Sequence, residues 1–501
     1  MKKEVHSTKF YPAHKYENQI KKFSVPRLIP EYNYLSWWGL VLEKFFRLKN
    51  VRIFFTEASF NAGYRELLEN LKKKKFVQSY ELLQSYNDYP KFFSCKVTFF
   101  VGSKRDGEDV TAHATSMVLP ADGLDVCYSK AIGEALERRA ARFNSEDSVM
   151  YPQVVNARPA FTYEMIPQFT SIQKNLYSHF VQSEDDLVVM PCVSVPNVTS
   201  GVTQNIPMQC VYYGKPLEKN EKLLNQGTTN GCGGGFNYTD AALSAIYELI
   251  ERDHFLLWWY SGATPRKIVP TQATKLAEEI RVMQRRYNLE VYFLDTSYDL
   301  NIKSCVCIII DPVLHIVGMG GKAGTSAYLF EQAYAEALML ITSTRMRLRA
   351  GVKGTDFFTP NDFTNKGIDQ RERETQCCTQ EGVEYLRKTL LSGPSVYIEN
   401  LSEGFHAFQT KKAELAFVQS EFSRMSKRYG AGYNLFLYSF QSKLLRSCSY
   451  CVVRAFIPSF LKLHLNESMA TPLSIRLKKF MEDHDLEYSY ETINKVPHIF
   501  P

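Results

Sequence analysis

Long apolar runs are missing from this chain of 501 residues. No stretch approaches the roughly 20 residues needed to span a bilayer, so a helical membrane protein is excluded. The opening residues, Met1-Lys-Lys-Glu-Val-His-Ser7, lack the apolar core of a secretory signal, and a cytoplasmic protein is expected. Cysteine is present but unorganised. The 11 cysteines are scattered and odd in number; several sit in apolar, strand-like runs (Cys305, Cys307, Cys451), which reads as buried free thiols. Cys448-Ser-Tyr-Cys451 is a lone C-x-x-C with no partner pair, a poor basis for zinc or redox chemistry. Cys377-Cys378 reads as a loop feature. No Ser–His–Asp or Cys–His arrangement points to a covalent nucleophile. Hydrophobic content of 45% and charged content of 23% are those of an ordinary globular protein, long enough for two to four domains. The net charge of +7 is concentrated early, the first hundred residues carrying nine more basic than acidic side chains. The densest run, Lys72 to Lys75, reads as a solvated helix end rather than a nucleic-acid patch.

What the chain does have is a stretch from Gly227 to Trp259. A glycine-rich loop, Gly227-Thr-Thr-Asn-Gly-Cys-Gly-Gly-Gly-Phe-Asn-Tyr238, is predicted to end at Thr239 or Asp240, both good N-caps. A helix follows, with Ala241, Ala242, Ala245, Ile246, Leu249 and Ile250 as its apolar stripe. Glu248 and Glu251, three apart, project from one face, and Arg252 can brace Glu248 from four residues away. Backbone that can approach phosphate, beside two carboxylates that can hold Mg²⁺, suits a nucleotide. One such helix is commonly just a solvated Glu/Arg face. A second copy changes the balance: Gly133-Glu-Ala-Leu-Glu-Arg138 repeats the spacing with Glu134, Glu137 and Arg138. Two helices of this kind imply four carboxylates facing a common centre, which repel one another unless cations neutralise them.

The rest of the chain reads as an α/β (α+β) protein. Residues 1–105 form an aromatic, basic accessory or docking region, with helices expected at Leu35–Leu48 and Tyr64–Lys74 and strands at Val51–Phe55 and Lys96–Val101. Residues 106–501 are expected to form the domain that carries both Glu-x-x-Glu-Arg helices. Strands are expected at Leu187–Val195, Ile206–Tyr213, Val291–Leu294, Ser304–Ile310, Phe405–Phe408, Leu435–Phe440 and Tyr450–Ile457, with a short extended piece at Lys267–Pro270. Helices are expected at Ala273–Tyr287 and Ala413–Tyr429. Gly318-Met-Gly-Gly-Lys-Ala-Gly324 reads as a second glycine-rich turn, with Ser326 capping a third long helix through Glu331, Gln332, Glu336 and Arg345. Residues 353–395 read as a lid or linker.

These residues resemble the YcaO family. The Thr229–Trp259 stretch is similar to its central signature and Gly133–Arg138 to its first. Gly321-Lys-Ala-Gly-Thr325 with Ala335-Glu-Ala337 is similar to its third. Val452–Pro458, Pro472–Arg476 and a proline-ended tail resemble the C-terminal block of the peptide-modifying branch. The resemblance covers roughly residues 110 to 501. It implies a fold of β-sheets packed by long helices, and an ATP-dependent enzyme that activates a backbone amide of a ribosomally made precursor peptide. Cys, Ser or Thr then closes to a thiazoline or oxazoline, as in the biosynthesis of thiazole/oxazole-modified microcins and other bacteriocins. It implies ATP and Mg²⁺ as cofactors, a leader-peptide-binding partner subunit, a flavin-dependent dehydrogenase, an oligomer, and no nucleic acid or membrane. Residue by residue, Glu134, Glu137, Glu248 and Glu251 stand at Mg²⁺-binding positions and Arg252 at a phosphate-contacting one. Asp240 stands where a nucleotide-contacting Glu is usual. Phe236 replaces a usual Asn, for which Asn237 can substitute, and Gly233 replaces a small polar residue. The C-terminal Pro501 stands where the family's terminal carboxylate assists proton transfer. Thioamide or amidine synthesis, and a degenerate scaffold subunit, are the alternatives.

Overall fold

The computed structural model describes residues 62–84, 93–103, 109–118, 123–143, 158–188, 190–270, 274–349, 362–365, 373, 375, 378–401 and 405–500. The expected elements at Leu35–Leu48 and Val51–Phe55 lie outside these residues. The chain divides into two compact units. The first comprises residues 1–139, 345–352 and 443–450, and the second comprises 140–344, 353–442 and 451–501. The boundary expected from the sequence, at 105/106, lies earlier.

In the first unit, α1 (Ala62–Lys73) is followed by β1 (Val77–Gln84), β2 (Phe93–Ser103), β3 (Asp109–Val118) and α2 (Gly123–Ala141). The strands form an antiparallel sheet in the order β1-β2-β3. Alternation along β2 buries Cys95, Val97 and Phe99. Helix α2 buries Cys127, Tyr128, Ala131, Ile132, Ala135 and Leu136, which recur at helical spacing. It is pinned to the sheet where Cys127 Sγ donates to the Phe93 carbonyl at 3.3 Å.

In the second unit the order is α3 (Ser171–Leu176), α4 (Glu184–Val188), β4 (Cys192–Asn197), β5 (Val202–Pro207), α5 (Met208–Val211), β6 (Cys232–Gly235) and α6 (Tyr238–Ser261). Then come β7 (Arg266–Val269), α7 (Lys275–Tyr287), β8 (Glu290–Asp295), β9 (Lys303–Asp311), β10 (Ile316–Gly324), α8 (Leu329–Arg349), α9 (Gln380–Lys388) and β11 (Ser395–Tyr397). The chain closes with α10 (Lys411–Tyr429), β12 (Phe436–Ser439), α11 (Lys443–Ser447, in the first unit), β13 (Cys451–Phe456) and α12 (Ile475–Asp483). Two five-stranded sheets result, ordered β5-β4-β12-β13-β6 and β10-β9-β8-β7-β11. Helix α6 packs on β6 and β13 of one and on β9 and β10 of the other. It is therefore buried over most of its surface from Ala241 to Ser261, its titratable residues included where Glu251, Asp253 and His254 fall inside.

Several expectations are corrected. Gly318–Gly324 is no turn; it lies in β10, paired with β9 from Ile316↔Asp311 to Gly324↔Lys303. Its glycines answer to helix packing: a Cβ on Gly318 or Gly320 would come within 2.3–2.6 Å of the α8 backbone at Ala333, Ala337 and Ile341. The expected strand Leu187–Val195 starts in the last residues of the helix Glu184–Val188 and joins β4 from Cys192, and the expected strand Ile206–Tyr213 leaves β5 after Pro207 for the helical turn Met208–Val211. Phe405–Phe408 joins no sheet. Helix α8 begins at Leu329, and Ser326 Oγ accepts from the Tyr328 amide, at 3.3 Å, ahead of the helix. Within the supposed lid, α9 places Val383 and Leu386 in the core. The ten cysteines described are free thiols, mostly buried. Among the described residues no helix is long and apolar enough to cross a membrane.

Candidate active site

Helix α6 starts earlier than expected. Its N-cap is Asn237, whose Oδ1 accepts from the Asp240 amide at 2.9 Å while its Nδ2 donates to Asp240 Oδ2 at 2.7 Å. The side chains of Asn237 and Asp240, both expected at the nucleotide, thus hold each other at the helix entrance. Gly233, also expected there, lies on β6 under α6. A Cβ at this position would sit 2.4 Å from the Ala241 carbonyl oxygen and the Ala245 nitrogen, so only glycine lets this strand seat the helix. Beside them Phe236 is 41% exposed.

Two turns into α6 the charged residues begin. Arg252 Nη2 lies 2.9 Å from Glu248 Oε1, and its Nη1 donates to Asn230 Oδ1 at 2.7 Å. Asn230 is itself fixed by donating to the Leu463 carbonyl at 2.6 Å. Arg252 Nε is buried and has no hydrogen-bond partner among the described residues. Glu251, 4% exposed, has its Oε2 3.4 Å from Lys322 Nζ on β10. The same ammonium pairs with Glu336 of α8. Burial raises the Glu248 carboxyl above the usual carboxylate range. It pushes Glu251 up to about 8, opposed by Lys322 and reinforced by the charge of Glu336. Lys322 stays protonated in spite of burial because Glu251 and Glu336 surround it. Lys322 and Glu336 received no role from the sequence reading. The available signal was their pairing in one block, Gly321-Lys322 with Ala335-Glu336-Ala337.

The tail reaches this cluster along α6. Asn494 donates its backbone amide to the Tyr260 carbonyl at 2.8 Å, and Trp259 Nε1 donates to the Val496 carbonyl at 2.8 Å. His498 is buried, 3.3 Å from Arg373 Nη1, with its ring centroid 4.6 Å from that of His464. Phe500 packs on Phe255 at 4.5 Å between centroids. A Cβ on Gly321 would meet the Phe500 ring at 2.5 Å and Glu251 Cγ at 3.2 Å. The last described residue therefore lies beside Glu251; Pro501 lies outside the described residues.

The other carboxylates lie in the first unit. On α2, Glu134 accepts from the Thr115 amide at 3.2 Å and pairs with Arg138 at 2.5 Å. Arg138 in turn donates to the His113 carbonyl. Glu137 is half-buried on the same helix. Among the described residues no three His, Cys, Asp or Glu side chains are pre-assembled around a metal. Mg²⁺ does not require that, being held by one or two carboxylates with phosphate oxygens and water completing an octahedron. The donor set of the second unit suits such an ion. Glu248, Glu251 and Glu336 are oxygen donors that outnumber the cations beside them, and Arg252 offers a buried Nε–H that has no partner among the described residues.

The second unit's two sheets, with carboxylates and a guanidinium on the helix between them and an ammonium on the neighbouring strand, have the makings of a site for a metal-complexed polyphosphate. The chain belongs to the YcaO family: the model described as "YcaO cyclodehydratase, ATP-ad Mg2+-binding" matches residues 128–460. The matched span takes in both Glu-x-x-Glu-Arg helices, Lys322 and Glu336, and ATP and Mg²⁺ are the cofactors of that description. Solved structures share the fold. A heterocyclase in complex with substrate and cofactor is 13% identical, with 87% of this chain and 57% of that one covered and a TM-score of 0.63. YcaO from Methanopyrus kandleri bound with AMPPCP and Mg²⁺ is 15% identical, with 82% and 94% covered and a TM-score of 0.54. The heterocyclase TruD is 16% identical, with 74% and 50% covered and a TM-score of 0.50. This chain thus spans a little over half the length of the first of these and half that of TruD. No curated protein matches the chain.

Proposed function

We propose that the protein is an ATP-dependent cyclodehydratase acting on a ribosomally made precursor peptide. A Cys, Ser or Thr side chain, giving up its proton, attacks the preceding amide carbonyl; the amide oxygen would take the γ-phosphoryl group of ATP with release of ADP; and loss of that oxygen as phosphate, together with the amide N–H proton, leaves a thiazoline or oxazoline. The observation that carries this reading is the set of buried Glu251 with half-buried Glu248, Lys322 and Arg252, the Arg252 Nε having no partner among the described residues, beside the end of the tail. ATP with Mg²⁺ supplies the leaving group, and charge neutralisation with positioning is what phosphoryl transfer asks of a protein. Glu248 and Glu251 would hold the metal, and Arg252 would give its free N–H to a phosphate oxygen. Lys322 keeps positive charge beside Glu251 and Glu336. A metal-binding role for Glu134 and Glu137 rests on their signature alone and belongs to this proposal. Asp240, Asn237 and Gly233 shape the entrance of α6, and their direct contact with nucleotide belongs to this proposal. Pro501 is assigned the proton-transfer role; the packing of Phe500 beside Glu251 supports it. A leader-binding partner subunit, a flavin-dependent dehydrogenase and an oligomeric assembly complete the proposed machinery.

The test is co-expression with a candidate peptide and mass spectrometry. Azoline formation removes about 18 Da per site, whereas a gain of about 16 Da marks exchange of oxygen for sulfur and a thioamide synthetase instead. One observation favours a second reading. Phe236 stands exposed where an Asn is usual, and Asn237 is engaged as a cap, as expected of a degenerate scaffold subunit. ATP turnover dependent on peptide excludes that; its absence in a correctly assembled complex establishes it.

A further inference from the structure

Lys322 reaches the carboxylates of α6 and α8 from a stretch of β10 that is otherwise bare backbone. Gly320 and Gly321 precede it. A Cβ on Gly320 would come within 2.5 Å of Glu336 Cβ and of the Ala337 nitrogen on α8, and one on Gly321 would meet the Phe500 ring at 2.5 Å and Glu251 Cγ on α6 at 3.2 Å. Two helices and the tail therefore close directly on the strand. The next side chain along it is that of Lys322, and it is held from both sides. Its Nζ lies 3.4 Å from Glu251 Oε2 and also pairs with Glu336 Oε1. The Glu251 side chain is 5% exposed, that of Lys322 27% and that of Glu336 32%. The ammonium thus stands between a buried carboxylate and one that meets solvent.

This arrangement differs from a surface ion pair. Glu251 is out of reach of bulk water, so its charge needs a partner fixed by the fold. An ammonium is a compact charge with three N–H donors. Two of them serve Glu251 and Glu336, and the third has no protein partner among the described residues. A divalent metal ion in a polyphosphate site makes the same set of links, joining protein carboxylates to a phosphate oxygen, and two such cations commonly flank a phosphoryl group in transfer.

We propose that Lys322 is a built-in second cation of this site: its ammonium takes the place a second metal ion would hold between Glu251 and Glu336, and gives its remaining N–H to a phosphate oxygen. The proposal rests on the reading that the site takes a metal-complexed polyphosphate. It makes Lys322 a binding residue in its own right rather than a counter-ion for Glu251, and it implies that a metal ion and Lys322 are interchangeable there.

The test exploits that exchange and reads no turnover. The full chain, freed of metal with a chelator and desalted, is titrated with Mn²⁺ alone, and bound ion is counted from the loss of the free-ion paramagnetic resonance signal. Lys322→Met should hold one Mn²⁺ more than wild type, and Lys322→Arg the same number as wild type. Lys322→Met combined with Glu336→Gln should lose the added ion. Each chain is then titrated calorimetrically with inorganic triphosphate, once with equimolar Mn²⁺ and once with Mn²⁺ in excess. At equimolar metal, Lys322→Met should bind triphosphate about tenfold more weakly than wild type, and excess Mn²⁺ should restore the wild-type affinity. Thermal unfolding checks each variant, and Lys322→Gln stands in if the methionine variant does not fold. An equal ion count in wild type and variant, an undiminished triphosphate affinity, or a loss that excess metal does not restore each overturns the proposal; undiminished affinity is what an inert salt bridge gives. Failure of the underlying reading looks different: a wild-type chain that takes up neither Mn²⁺ nor triphosphate, which ends both.

Discussion

Helices α2 and α6 carry the same Glu-x-x-Glu-Arg spelling in different settings. On α2, Glu134 is about a third exposed and is satisfied by the Thr115 amide and Arg138. On α6, Glu251 is buried and its charge is opposed more than it is supported. Even the seats differ. A Cβ on Gly133 of α2 would meet chiefly the movable Tyr450 hydroxyl at 2.9 Å, whereas one on Gly233 beneath α6 would meet helix backbone at 2.4 Å. Identical spacing therefore sets which carboxylates share a helix face, and burial sets whether they are at rest or waiting for a cation.

The largest expected effect tests that distinction directly. Glu251→Gln should lower ATP-dependent dehydration of the peptide on the order of 10³-fold, since it removes a charge that neutralises the transferring group's metal. It should also stabilise the metal-free protein at high pH. With its folded pKa near 8, above the value of an unfolded glutamate, the native state holds a proton that the unfolded state has lost. Stability conferred by the protonated form is complete below about pH 4 and falls as pH rises towards 8. The Gln variant should escape that fall, its melting temperature overtaking wild type as pH approaches 8. Glu134→Gln should do the reverse in stability, losing about 1 kcal/mol at neutral pH with the Thr115 and Arg138 contacts. If both variants melt alike at every pH, the two settings are equivalent and the comparison fails.

Next in size is the seat of α6. Gly233→Ala should cost about 3 kcal/mol or more, because the added methyl can be relieved only by lifting α6 from β6. Gly133→Ala should cost much less, a rotation of Tyr450 sufficing. Urea midpoints for the two variants read the difference, and equal losses would show that the helix seats are alike.

These glycines also show where the sequence was legible and where it was not. The helical period of Ala241 to Ile250 and the β-branched run Ser304–Ile310 report local geometry, and α6 and β9 appeared where expected. So did the partnership of Glu248 with Arg252, which a four-residue spacing dictates. Glycine's local signature is conformational freedom, so from sequence Gly233, Gly318 and Gly320 look like loop and turn residues. Their actual cause is an overlying helix distant in sequence, which no window of neighbours reveals. Lys322 and Glu336 escaped assignment for the same reason: their relation to Glu251 comes from β10 lying against α6 and under α8. Asn237 was passed over as a cap because Thr239 and Asp240 are equally good caps, and only the close seating of Gly235 and Gly233 fixes where the helix must begin.

The smallest effect concerns a position where the two helices part company. Three residues beyond Glu251 stands His254; three beyond Glu137 stands Ala140. His254 is fully buried and neither ring nitrogen has a hydrogen-bond partner among the described residues. Its neighbours are charged: Arg476, held by Asp253 and Asp299 at 2.7 Å each. Burial, then Arg476, lowers its pKa to about 3, with Asp299 opposing. An unfolded histidine titrates well above that, so in the interval between the unfolded chain takes a proton that the native state refuses. Stability therefore is whole above roughly pH 6.5 and declines as pH falls towards 3, by at most about 1.4 kcal/mol per pH unit from this one group. His254→Leu should flatten the acid side of the melting curve, the wild type losing stability faster than the variant between pH 6.5 and 4.5. Above pH 7 the two should differ only by a constant packing offset. Parallel curves through the acid range would mean that His254 accepts its proton inside the fold, and that Asp299 rather than burial governs this end of α6.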